Sequence, residues 1–116
     1  MAAGIYNFTI EQGSTFTRTF KYKDSTGTAI DLSNHAIRMQ IRDSIGAPTP
    51  LLSITEDNGF SVDGTNTNEF TLTISATNTK DLTFNTAVYD IEIEDNANVV
   101  TRLLQGKIKL SLEVTR

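Results

Sequence analysis

Carboxylates are the most numerous reactive groups in this chain: 14 Asp and Glu stand against a single His and no Cys. Asp90, Glu92 and Glu94 occupy alternate positions with Asp95 just beyond, so in an extended chain the first three share one face. With the loop residues Asp57 and Asp63, such a row could offer several oxygens to a calcium ion. No DxDxDG loop accompanies it, and the plainer reading is a solvated strand face balanced across a sheet by Arg or Lys. Glycoside hydrolysis wants its carboxylates flanking a cleft, which a row on an outer face does not supply. His35 lies between the turn residue Asn34 and the strand start Ala36, where an exposed or hydrogen-bonded turn histidine is expected rather than a base or ligand. Without Cys there is no disulfide, thiolate metal site or cysteine nucleophile. The serines form no GxSxG elbow. The seven glycines are isolated, one per turn, so none builds a phosphate cradle. The expectation is a chain with no catalytic residue, no cofactor, no metal site and no small-molecule substrate.

Binding chemistry is bounded in the same way. Ten Lys and Arg leave a net charge of −4, which argues against nucleic acid or an anionic membrane as partner. Carbohydrate or base stacking needs exposed aromatic platforms. There is no Trp, and Phe8, Phe16, Phe20, Phe70, Phe84 and Tyr89 mostly fall at positions whose alternation points to a core. The start, MAAGIYNFT, has neither a basic nor an apolar signal-peptide region, and no window approaches a membrane span. The expectation is synthesis in a cytoplasm without a signal peptide; the NFT sequon at Asn7 is at chance frequency in so Thr-rich a chain.

The elements that must position these residues are strands. Eighteen Thr and 11 Ile, both β-branched, suit a pleated and half-buried surface, and 9 Asn with the glycines suit turns. Period-two alternation runs through Tyr6–Glu11, Thr15–Lys23, His35–Asp43, Leu51–Glu56, Phe60–Asp63, Glu69–Ser75, Val88–Glu94 and Val99–Thr115. The cleanest case places Ile37, Met39 and Ile41 inward, with Arg38, Gln40 and Arg42 outward. Arg18 interrupts the apolar side of its strand and is expected to snorkel at an edge. DNG at 57–59 signals a hairpin. ATNTKDL at 76–82 has room for one helical turn. Gly106 reads as a bulge or bend where the last strand leaves one sheet for another. Ala87, Val88 and Tyr89, entering a strand after a short loop, resemble a tyrosine corner whose hydroxyl bonds back to the preceding turn.

At 116 residues this predicts one domain over 1–116: an all-β, antiparallel immunoglobulin-like β-sandwich of seven to nine short strands, with a small closed barrel as the other arrangement of such strands. Both ends run almost directly into strands, as expected of a complete small gene product.

Five segments carry a resemblance: GIYNFTIEQGSTF, IDLSNHAIRMQIRD, LTISATNTKDL followed by AVYDIEI, and VVTRLLQGKIKLSLEVTR. Together they resemble a family of small β-sandwich proteins at the tail tip or baseplate of tailed bacteriophages, which includes the collar to which long tail fibres attach. The resemblance implies a non-enzymatic structural subunit in the virion tail, made in the host cytoplasm and connecting the tail to its fibres. Its partners would be other tail proteins, tail tip and tail fibre, and further copies of itself in a ring. Edge strands are the natural surfaces for such contacts. The contact elements expected are Tyr6–Glu11, Lys107–Thr115 and the proline loop Ile45–Pro50, through Tyr6, Phe8, Ile10, Ile45, Pro48, Pro50, Lys107, Lys109 and Glu113. A second reading is an immunoglobulin-like module that recognises a host-surface glycan or receptor.

Overall fold

The computed structural model describes residues 4–23, 26–56 and 59–114. In chain order it forms β1 (Gly4–Ile5), β2 (Phe8–Glu11), β3 (Phe16–Lys21), β4 (Ala36–Arg42), β5 (Leu52–Glu56), β6 (Gly59–Val62) and β7 (Glu69–Ile74). These are followed by α1 (Ala76–Lys80), β8 (Thr86–Glu94) and β9 (Val100–Ser111). The fold is an all-β, immunoglobulin-like sandwich. One layer has β1 and β2 side by side with β9, then β8, β4 and β5; the other is β6, β7 and β3. The sheet turns over between β5 and β6, and alternate residues of both layers fill the space between them. Ile37, Met39 and Ile41 of β4 meet Ala87, Tyr89, Ile91 and Ile93 of β8, with Phe60, Phe70, Leu72 and Ile74 from the second layer. Period two thus becomes a core because one face of each strand is withdrawn from water.

Three pairings are parallel rather than antiparallel. β1 and β2 run parallel to β9, with Gly4 beside Leu104 and Phe8 beside Ile108. The break between β1 and β2 is patched locally. Tyr6 donates its backbone N–H to the Gln105 carbonyl at 3.0 Å, and the Asn7 side-chain oxygen accepts the Lys107 N–H at 2.8 Å. The third parallel pair is β5 with β6, where Thr55 lies beside Gly59 and Glu56 beside Phe60. Residues 57 and 58 of the DNG turn, Asp57 included, lie outside the described residues. The strands flanking them do not form the antiparallel hairpin that this signal predicts, because β5 belongs to one layer and β6 to the other. Gly59, at φ +117°, is where the chain crosses; an added Cβ would collide with the Ile54 side chain.

A bulge or bend, where the last strand would leave one sheet for another, was expected at Gly106, and there the reason for glycine differs. β9 runs unbroken through it, and a Cβ at Gly106 would strike the Tyr6 carbonyl oxygen and lie 2.7 Å from the Asn7 side-chain oxygen. Close approach of the β1–β2 backbone excludes any larger residue. The irregularity of β9 lies at Leu103 instead. Ile91 pairs with Leu104 and Glu92 with Arg102, which leaves Leu103 as the extra, buried residue of a bulge.

The sandwich stays open at its ends. β2 and β3, consecutive in sequence, face each other through ring contacts, with Phe8 and Phe16 stacked at 5.0 Å and Tyr6 edge-on to Phe20 at 5.6 Å. No ladder joins them among the described residues, so the sheet does not close into a barrel. α1 is the single turn foreseen at 76–82, capped by the Ser75 hydroxyl, which accepts the Asn78 N–H at 3.2 Å. It is tied to the β2–β3 turn through Thr79, which is fully buried. The Thr79 hydroxyl donates to the Ser14 carbonyl at 2.8 Å and accepts the Gly13 N–H at 3.1 Å.

Candidate functional site

The outer face of the larger layer is built from residues one step out of phase with the core. Register sets them in rows across β4, β8 and β9: Arg42, Val88 and Lys107; then Gln40, Asp90 and Gln105; then Arg38, Glu92 and Arg102. At one end Arg38 is bound by two carboxylates, Glu92 at 3.0 Å and Glu94 at 2.9 Å, and these bonds hold its guanidinium pKa above the usual value. The acidic row is thus balanced across the sheet, as a solvated strand face should be.

At the other end the face is concave. A groove of about 520 Å³ has Gly106 and Val88 in its floor and Ile5 and Ile45 on its walls. Those two isoleucines are 76% and 89% exposed, among the most exposed apolar side chains described. Gly106 contributes only backbone to that floor, because the place of a side chain there is taken by the Tyr6 carbonyl and the Asn7 side-chain oxygen. The polar lining holds three cations, Arg42, Arg102 and Lys107, against one carboxylate, Asp90. Arg42 donates to the Ala47 carbonyl at 2.7 Å and to the Gln40 side chain at 2.8 Å, and it forms no ion pair among the described residues. Arg102 lies 3.5 Å from Asp90. Desolvation, reinforced by Glu92, pushes the Asp90 carboxyl above its ordinary range even though Arg102 and Arg42 pull the other way. The groove is therefore a local cationic site with aliphatic walls on an acidic protein.

Beneath it, the Tyr89 hydroxyl donates to the Tyr6 carbonyl across the sheet. This corrects the tyrosine-corner expectation: the bond goes to the first strand segment, because the gap between β1 and β2 leaves that carbonyl free of ladder partners. Burial pushes the Tyr89 phenol well above its usual pKa.

The expected contact residues are dispersed. Ile45 and Lys107 come together in the groove. Phe8 and Ile10 do not reach the surface; they are 7% and 0% exposed, since their strand turns that face inward. Tyr6 is half-buried, with the Arg18 guanidinium donating to its hydroxyl at 2.6 Å and lying over the Phe16 ring, the snorkelling expected of Arg18. Pro48 is exposed and Pro50 half-buried in the β4–β5 loop. Lys109 is exposed one step further along β9, while Glu113 is half-buried against Gly13 and donates its N–H to Gln12 at 3.0 Å. Lys107–Ser111 is not an edge, because β2 and β8 flank it on either side. Arg42, Arg102, Ile5 and Val88 were not singled out from sequence. They come from different strands, and only the register brings them to one place.

The other candidates resolve into structure. Asp63 accepts the Thr65 and Asn66 N–H groups, both at 2.8 Å, and these bonds hold its carboxyl below the usual range. Asp95 accepts from Ala97 and Val99 at 2.9 and 3.0 Å, closing the β8–β9 turn. His35 departs from expectation: its Nδ1 is buried with no hydrogen-bond partner, beside a shallower concavity shared with Asp31 and Asp95. Among the described residues, no three His, Asp or Glu side chains gather as metal ligands.

Neither a family model nor a curated protein matches the chain. Among solved structures it is similar to the crystal structure of CopC from Methylosinus trichosporium OB3b, at 12% identity and a TM-score of 0.49, over 100% of this chain and 90% of that one. At that score the likeness carries nothing about what this chain binds or does.

Proposed function

We propose that this chain is a non-enzymatic structural subunit of a tailed bacteriophage, placed at the tail tip, baseplate or collar, where it connects the tail to its fibres through protein–protein contacts. The likeness of the five sequence segments supports the reading. The structural observation that carries it is the outer face of the larger layer, which is open, concave at one end and walled by exposed Ile5 and Ile45. Apolar side chains flanking a polar groove on a sheet face suit a macromolecular neighbour. Both end strands of the curled sheet, β1/β2 and β3, also keep one side unpaired among the described residues, available for repeated contacts between copies.

Two measurements test this. Gold-labelled antibody against the chain should decorate one end of the tail on phage particles released from the cell that encodes it. Light scattering over a concentration series should show a defined oligomer as the protein is concentrated. Particles without label would overturn the reading, and specific binding of the purified monomer to a host-surface glycan would replace it with the receptor-binding alternative.

A further inference from the structure

We infer that the groove between Ile5 and Ile45 is a docking site for an acidic, aliphatic-bearing extended segment of a partner protein. The charge argument comes first. The chain carries a net −4, yet this one concavity is lined by Arg42, Arg102 and Lys107 against Asp90 alone. Arg42 is held by a carbonyl and an amide oxygen, and no ion pair engages Lys107 among the described residues. Asp90 is already opposed by Arg102, which leaves Arg42 and Lys107 without an ion pair among the described residues, so an incoming carboxylate meets a lining of net positive charge.

Shape narrows the occupant further. The groove is lined from four neighbouring strands, β1, β9, β8 and β4, whose three inter-strand gaps of about 4.8 Å span about 14 Å in all. An extended peptide covers that with about five residues at about 3.3 Å each. Alternate side chains of such a segment point to opposite sides, so one set would lay carboxylates over the cations of the floor while the other set stays clear of it, beside the protruding Ile5 and Ile45 walls. A long polyanion such as nucleic acid suits the site poorly, because the acidic surface beyond the groove would repel it and the isoleucine walls would gain nothing. The floor is preformed: Gly106 is fixed by the approach of Tyr6, and Asn7 is fixed by its bond to Lys107, so little ordering is left for binding to cost.

The test uses the whole chain and two synthetic peptides, Ac-Glu-Leu-Glu-Leu-Glu-amide and Ac-Lys-Leu-Lys-Leu-Lys-amide, titrated while backbone amide resonances are followed by NMR. The acidic peptide should shift Ile5, Val88, Gly106 and Lys107 saturably, with the lysine peptide leaving them in place. Lys107→Glu should weaken that binding by about tenfold, and added salt should weaken it further. Ile5→Asp, at an exposed position, should do the same with unchanged circular dichroism. Equal binding of both peptides, shifts elsewhere on the domain, or no binding at all would overturn the inference. So would the same amides shifting with protein concentration alone, which would give the groove to a second copy. The inference gives the proposed connecting role a surface but stands on the groove itself. Labelled particles without peptide binding would keep that role and remove this site, and peptide binding without labelled particles would do the reverse.

Discussion

Tyr89 shows how much a single hydroxyl does here. It bridges the sheet to a carbonyl that has lost its ladder partner, so Tyr89→Phe removes one hydrogen bond and strands a half-buried acceptor. Urea unfolding should show a loss of about 1 kcal/mol. Gly106→Ala acts on the same contact from the other side, pushing a methyl into the Tyr6 carbonyl. It should cost about 1–3 kcal/mol, with hydrogen exchange quickening first at residues 8–11. Asp90 yields a pH prediction. Its carboxyl titrates higher in the folded state than in the unfolded chain, so the folded protein holds that proton more tightly and stability falls as pH rises through the window between the two values. Asp90→Asn should therefore melt at or above the wild-type temperature at neutral pH. That margin should shrink as the pH is lowered through the carboxylate range; a variant less stable at neutral pH alone would show that the Arg102 pair outweighs desolvation.

At the level of elements, what the sequence made legible was whatever repeats locally. Ile37, Met39 and Ile41, then Phe70, Leu72 and Ile74, announce their strands through alternation, and all six are buried. The single helical turn was legible from the shortness of the ATNTKDL stretch at 76–82, while its serine cap is seen only in the structure. What alternation cannot encode is which strand lies beside which. The parallel β1/β2–β9 ladder joins residues about a hundred positions apart, with Phe8 beside Ile108, so no local period reports it. The DNG signal failed for a related reason, since a turn motif speaks for two residues while the layers on either side decide where each strand goes. Gly106 was recognised as special and given the wrong cause, because its constraint comes from Tyr6, far away in sequence. The buried Thr79 hydroxyl is another such tie between distant elements. Thr79→Val keeps the shape but leaves the Ser14 carbonyl and Gly13 N–H without it, which should cost about 1–3 kcal/mol in thermal or urea unfolding.

For the molecule as a whole, the candidate site was the least legible part. Two of its residues, Ile45 and Lys107, were reachable from the sequence as exposed and loop-borne or strand-borne positions, but the groove exists only because four strands bring their outward faces together. The acidic row looked more like chemistry and proved to be an ion-paired surface, with Glu92 and Glu94 on Arg38 and Asp90 on Arg102. A sandwich of this kind separates its tasks by face: alternation inward builds the core, and the outward phase is left free for recognition. The parallel ladder adds a constraint in time. Glu11 has its partner at Ser111, so β2 leaves the ribosome unpaired and must wait for about a hundred more residues before its partner strand exists. Such long-range closure slows folding relative to local hairpins. It also makes the two ends of the chain one cooperative unit, and a truncation that removes residues 107–116 should release β2 along with them, leaving the first and last strands to be gained or lost together.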